Sequence, residues 1–248
     1  MKENYLKIAL IFLFGILLAG CSSTKETVKK ERPKEPVKEV KPAPVIKNIE
    51  FEERNLVKSQ RIKSIDKIAF EYNKRGKLVN GNKISQLKYD RDGFLTETVF
   101  FNRRGKADQS YKYNYDDRGF RIKTIRYNSE GVADKSFTYE YNEFGNKIKA
   151  VRYNMSNEME DYYIYKYDEL GNLVNDLWYD AKGDMEFKII NQYNSTGQKT
   201  GSISYNNDGD LQNIYEYKYD KRGNIVEEIK YDKDKRPIGI VQYVYKYY

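Results

Sequence analysis

A five-residue turn signature recurs thirteen times along the chain: an aromatic residue, Asn or Asp, two variable residues and, in most copies, Gly. Tyr89-Asp90-Arg91-Asp92-Gly93 and Tyr219-Asp220-Lys221-Arg222-Gly223 are two copies. From Tyr89 the leading aromatics are Phe101, Tyr115, Tyr127, Tyr141, Tyr153, Tyr167, Tyr179, Tyr193, Tyr205, Tyr219 and Tyr231. Gaps of 12 and 14 alternate, so the period is 26, and Tyr72 opens the series 17 residues earlier. A period of this size means stacked copies of one supersecondary unit.

Between turns lie runs of alternating character rich in Tyr, Ile, Val and Thr, such as Phe137-Thr138-Tyr139-Glu140-Tyr141. Period-two alternation predicts strands. Asn or Asp at the turn accepts local backbone N–H groups, and Gly tolerates the positive φ of a bulged three-residue hairpin loop. The expected fold is all-β: an antiparallel meander of about 14 strands built from 26-residue double hairpins. A flat layer would leave two open edges. A steady stagger of two residues per repeat predicts coiling, into a closed barrel or an open curved sheet, with the aromatic face inward.

If the strands pair Phe101 with Ala107 and keep that parity, all odd-numbered strand residues share one face. That face would hold Tyr111, Tyr113, Tyr139, Tyr163, Tyr165, Tyr215 and Tyr217, and the even face Glu140, Lys166 and Lys218. Four places after the turn glycine, the odd face would also carry Glu97, Gln109, Lys123, Lys135, Lys149, Asp161, Asn175, Phe187, Gly201, Asn213 and Glu227. Polar groups among aromatic platforms suit a groove for sugar or peptide. The same groups could equally satisfy one another inside a narrow tube. The candidate ligand-binding set is Tyr111, Tyr113, Lys123, Lys135, Tyr139, Lys149, Asp161, Tyr163, Tyr165, Asn175, Asn213, Tyr215 and Tyr217.

The repeats Tyr113-Asn114-Tyr115-Asp116-Asp117-Arg118-Gly119 and Tyr165-Lys166-Tyr167-Asp168-Glu169-Leu170-Gly171 resemble the YD repeat of the Rhs and teneurin families. The resemblance covers nearly all of residues 68–248. It implies a spiralling β-sheet shell that encloses cargo or presents an adhesive surface. The chain is far shorter than those shells and carries no obvious Rhs core motif.

The amino terminus reads as a targeting segment over residues 1–20. Lys2 and Lys7 precede an apolar run, Ile8 to Leu18, too short for a confident membrane span. Leu18-Ala19-Gly20-Cys21 resembles the lipobox of bacterial lipoproteins, which implies cleavage before Cys21 and acylation of that residue. Ser22 in the next position resembles outer-membrane sorting. Residues 21–48 mix Lys, Glu and four of the five prolines, a composition that favours an extended tether. Residues 49–67 fit neither period and are expected to form a leading strand or cap. The repeat domain is expected over 68–248.

Chemistry is limited by composition. The chain has no His and one Cys, which removes the commonest general base and zinc ligand. No cofactor motif and no metal site are expected. Carboxylate pairs remain, with Glu97, Asp161 and Glu227 as candidates. The net charge is +8, but abundant Asp and Glu and an envelope location argue against nucleic acid. The expectation is a membrane-anchored, non-enzymatic envelope module for a glycan or protein partner, or a scaffold. The alternative is a carboxylate-dependent enzyme acting on polysaccharide.

Overall fold

The computed structural model describes residues 48–248, apart from residue 74. The signal segment expected over 1–20, Cys21 and all but the last residue of the expected tether lie outside these residues. A helix, α1 (Ile49–Ser59), leads into fourteen strands. They are β1 (Ile62–Tyr72), β2 (Leu78–Tyr89), β3 (Leu95–Phe101), β4 (Ala107–Tyr115), β5 (Arg121–Tyr127), β6 (Ala133–Tyr141) and β7 (Lys147–Asn154). Then follow β8 (Met159–Tyr167), β9 (Leu173–Asp180), β10 (Met185–Tyr193), β11 (Lys199–Asn206), β12 (Leu211–Tyr219), β13 (Ile225–Tyr231) and β14 (Pro237–Tyr247). Each strand pairs antiparallel with the next, and β14 returns to β1, closing a barrel. Closure removes the sheet edges that an open meander would expose.

The turns follow the sequence. In the β4–β5 turn, Asp116 N–H donates to Phe120 C=O at 2.9 Å, and Gly119 N–H donates back to Asp116 C=O at 2.9 Å. The Asp116 carboxylate accepts the N–H groups of Arg118 and Phe120 at 3.0 and 2.8 Å. The fifth residue has positive φ throughout; Asn157 and Lys235 adopt it where Gly is missing, at 61° and 59°.

Past each turn the pairing departs from expectation. Phe101 does face Ala107, but the next pair is Phe100 with Gln109, so Asp108 is an extra bulge residue. At the opposite end Tyr115 faces Arg121 and Asn114 faces Lys123, with Ile122 extra. Every hairpin from β2 to β14 carries such a shift. One bulge per hairpin inverts parity, because side-chain direction has period two. Odd residues therefore face inward on the even-numbered strands β4 to β14. On β3, β5, β7, β9, β11 and β13 the residues past the bulge face inward at even numbers. Tyr113 and Thr124 are direct partners, as are Tyr165 and Asp176. The single odd-numbered face is thus corrected to two interleaved sets. The stagger stands: Tyr113 pairs with Thr124, which pairs with Phe137, an advance of 24 against a period of 26.

The segment 49–67 is a helix followed by the first strand. Asn48 caps the helix, its side chain accepting Phe51 N–H at 3.1 Å. Glu50 and Glu52 in the first turn and Lys58 in the last complement the helix dipole. The helix lies across one mouth of the barrel. Its start is fixed by Asn48 Nδ2 donating to Gly145 C=O at 2.7 Å, and its end by Gln60, which bridges to Asn224 at 2.7 Å. Between them Arg54 donates to Gly119 C=O at 3.2 Å, and Phe51 stacks on Phe120 at 5.1 Å. Val57 drops into a cluster with Ile62, Ile65 and Tyr89, flanked by Leu87, Leu95, Tyr243 and Tyr245. Its contacts run around the helix on several sides, which is why no single apolar stripe marks it in the sequence.

Candidate binding site in the barrel lumen

Below the plugged mouth, the inner wall is built in rows set by the repeat. Five of the six tyrosines that lead turns at this mouth, and Tyr245 at the matching place in β14, act as clamps. Tyr115, Tyr141, Tyr167, Tyr193, Tyr219 and Tyr245 each donate their hydroxyl to a carbonyl twenty residues back, at 2.7 to 3.0 Å. The acceptors, Leu95, Arg121, Lys147, Leu173, Lys199 and Ile225, sit beside the register shift of the preceding hairpin. The bulge interrupts the ladder there, and the phenol takes up the carbonyl. This explains the leading Tyr of the Tyr-Asp turn as a structural group.

One row deeper the chemistry stops repeating. Tyr113 donates to Thr98 at 2.9 Å, Tyr139 to Thr124 at 2.6 Å, and Tyr217 shares a bond with Ser202 at 3.1 Å. At the equivalent sites Ala150 lies behind Tyr165, Asp176 behind Asn191, and Glu228 accepts from Tyr243 at 3.1 Å. Burial raises the phenols of Tyr113 and Tyr217 to about 12. Charges gather here. Glu53 of α1 is pushed up by desolvation, against the pull of Arg121. Burial also works to raise Glu50, but Lys147 and Arg121 outweigh it and hold the group below the usual carboxylate value. Asp176 is raised by burial.

The third row, toward the opposite mouth, joins aromatic rings to ion pairs. Tyr111 and Phe137 lie 6.1 Å apart, and Tyr163 and Trp178 lie parallel at 6.2 Å with an interplanar angle of 11°. Arg126 binds Asp134 through two contacts at 2.9 and 2.7 Å. Lys135 pairs with Glu160, and Arg152 with Asp161. Asp161 is 3% exposed; burial raises its carboxyl, with Arg152 opposing. Its Oδ1 and the adjacent Trp178 Nε1 are buried without a hydrogen bond of ordinary geometry.

Of the candidate binding residues, the structure gathers Tyr111, Tyr113, Lys135, Tyr139, Asp161, Tyr163, Tyr165, Asn213, Tyr215 and Tyr217 on the inner wall. Lys123, Lys149 and Asn175 are corrected to the outer wall. Lys123 faces Asn114 and Thr138 there, Lys149 lies 3.5 Å from Glu140, and Asn175 faces Lys166. The bulge of each β4–β5-type hairpin turns these positions outward. Two of the three candidate carboxylates move with them: Glu97 binds Lys88 at 2.6 Å and Glu227 binds Lys218 at 2.9 Å, both outside. They form no pair with Asp161. Sequence reasoning missed Arg121, Arg126, Arg152, Asp176, Trp178 and Glu228, all inward. Part of the signal was present: Arg121, Asp176, Trp178 and Glu228 differ from their counterparts at 26-residue spacing, whereas Arg126 and Arg152 are counterparts of each other.

No family model and no curated protein matches the chain. Among solved structures, a chain of the Photorhabdus luminescens Tc holotoxin pore aligns at 13% identity with a TM-score of 0.32, over 65% of this chain. This chain spans only 10% of that one. A porin-like protein from Bacteroides uniformis aligns at 10% identity with a TM-score of 0.36, over 75% of this chain and 97% of that one. A porin-like protein from Bacteroides vulgatus aligns at 13% identity with a TM-score of 0.34, over 75% of this chain and 98% of that one.

Proposed function

We propose that the protein is an acylated envelope lipoprotein, held at Cys21, whose barrel binds an envelope glycan without enzymatic turnover. One observation carries this reading: the Tyr163–Trp178 ring pair beside the Arg152–Asp161 ion pair on the inner wall. Flat rings stack on sugar faces, and charged groups with spare hydrogen-bonding capacity bind hydroxyl and acid substituents. Asp161 and Trp178 meet each other only in poor hydrogen-bond geometry, so a ligand that offers them better partners gains affinity. The outer wall supports a barrel standing clear of lipid. Lys112, Glu140, Lys166, Glu216 and Lys218 are exposed on it, and Lys on a lipid-facing wall at mid-depth costs about 2–4 kcal/mol each.

The test is retention of the full chain on purified envelope glycan fractions, compared with Trp178→Ala, Tyr163→Ala and the outer-wall Lys123→Ala. Trp178→Ala and Tyr163→Ala should abolish retention and Lys123→Ala should not. Equal retention of all four proteins would overturn the assignment of the site. Retention of the wild type by an envelope protein and by no glycan would favour a scaffold role.

A further inference from the structure

We infer that the cavity between α1 and the barrel wall binds a single-chain amphipathic anion, with its head at Lys67 and Lys199 and its body against apolar residues of the helix and wall. This site lies at the plugged mouth and does not depend on the glycan reading.

The cavity measures about 600 Å³, within the range of small-molecule sites. Leu56 and Val57 of α1 line one side, and Ile65, Leu87 and Ile225 line the other. Lys67 and Lys199 complete it. Both are directed inward: Lys67 faces Tyr243 and Ser85 across the ladder, and Lys199 faces Tyr193. Neither ammonium has a hydrogen bond or ion pair among the described residues. Each instead lies over a ring, Lys67 at 4.6 Å from the Tyr243 centroid and Lys199 at 4.7 Å from that of Tyr217. A ring face holds a cation but leaves its three N–H donors unused.

The surrounding acids do not fill those donors. Glu228 acts on both lysines from a distance while bound to Tyr243 at 3.1 Å. Glu53 also acts on Lys67 and Asp176 on Lys199, but desolvation favours the neutral form of each acid. Desolvation likewise lowers Lys199 to about 8. A carboxylate or sulfate entering between the two ammoniums would supply the missing acceptor. The greasy lining then selects an alkyl chain over a hydrophilic anion.

The experiment uses the full anchored chain in native membranes with a photoactivatable alkynyl fatty acid, followed by peptide mapping. Adducts are expected on residues 56–57 and around residue 225. Lys67→Met and Lys199→Met should each lower labelling roughly tenfold, the scale of one charge-assisted hydrogen bond. Lys199→Arg should restore it, and Lys123→Met should leave it unchanged. A neutral alkynyl alcohol of equal length should label at least as weakly as the Met variants. Adducts elsewhere, equal labelling by acid and alcohol, or Lys199→Met labelling like wild type would each overturn the proposal. Because the readout is positional, loss of glycan retention with intact labelling would sink only the glycan reading.

Discussion

Gly93, in the β2–β3 turn, has φ 84° and lies against the backbone of Arg54 and Lys58 in α1. Gly105, in the β3–β4 turn, has φ 73° and nothing within 4 Å of the place a Cβ would occupy. The two turns have the same hydrogen bonds and nearly the same backbone. At one mouth glycine meets the needs of the turn alone. At the other it also lets a helix lie directly on the turns, as Gly119 under Arg54 and Gly145 under Asn48 do. A strictly periodic motif thus acquires a second role wherever a non-periodic element is laid against it.

The largest expected effect comes from exploiting that difference. Gly93→Val and Gly105→Val should both incur backbone strain of about 1–3 kcal/mol. Gly93→Val must in addition displace α1, opening the Val57 cluster. We expect a clearly lower melting temperature for Gly93→Val and rapid proteolysis between residues 48 and 61, against a modest shift and no new cleavage for Gly105→Val. Equal melting and equal cleavage would mean that α1 is not seated on the turns.

The plug can be probed next through its two inward acids. Glu50 is held below the ordinary value of 4.5 by Lys147 and Arg121, which override the effect of burial. A depressed pKa contributes stability that is present above pH 4.5 and lost as pH falls through the folded value. Glu53 is the reverse: burial raises it, so the folded state binds its proton more tightly. Stability is therefore lost as pH rises from 4.5 through the folded value. At neutral pH, Glu53→Gln should raise the melting temperature and Glu50→Gln should lower it. As pH falls through the depressed folded value of Glu50, the Glu50→Gln protein should converge on wild type. Denaturant titrations across pH 3 to 8 decide this, and a shared sign for the two variants would contradict the placement of these acids.

Much of the barrel was legible because repetition multiplies weak signals. Thirteen Asx turns, strand alternation and the stagger all follow from local chemistry. The parity error has an equally local origin. A bulge such as Asp108 or Ile122 is one residue with no distinctive side chain, yet it inverts the face of every residue until the next bulge. It therefore kept Lys135 and Asp161 on the inner wall and sent Lys123, Lys149 and Asn175 outside. The helix was hidden for another reason: its polar residue Glu50 is partly buried against Lys147 of the wall, so burial and hydrophobicity diverge there.

Within the lumen, the periodic clamp can be set against the irregular row beneath it. Tyr141 donates its hydroxyl to Arg121 C=O at 2.8 Å, whereas the Tyr165 hydroxyl has Ala150 where Tyr113, Tyr139 and Tyr217 have Thr or Ser and Tyr243 has Glu228. Tyr141→Phe should cost about 0.5–1.5 kcal/mol, the net value of a hydrogen bond. Tyr165→Phe should cost less, since no partner is lost among the described residues. Chemical denaturation of both variants measures the gap. A larger loss for Tyr165→Phe would mean that this phenol has a partner in the lumen, which is how a bound ligand would first register.

The smallest effect tests the corrected faces directly. Lys123 and Lys135 were assigned to one wall by parity and are placed by the bulges on opposite walls. Lys123 is exposed and Lys135 is half-buried against Glu160. Neither substitution should be severe. Lys123→Ala should remain within about 0.5 kcal/mol, as an exposed residue does. Lys135→Ala removes a partly screened ion pair, worth about 0–1 kcal/mol, so stability alone separates the two poorly. Acylation rate separates them well, because reaction requires an amine reachable from solvent. Lys123 should react readily with a small activated ester, and Lys135 should be slow until the fold is opened with denaturant. Equal rates in the folded protein would put both on one wall and return the odd-numbered residues to a single face, and with them Lys149, Asn175 and the Glu97 and Glu227 carboxylates to the lumen.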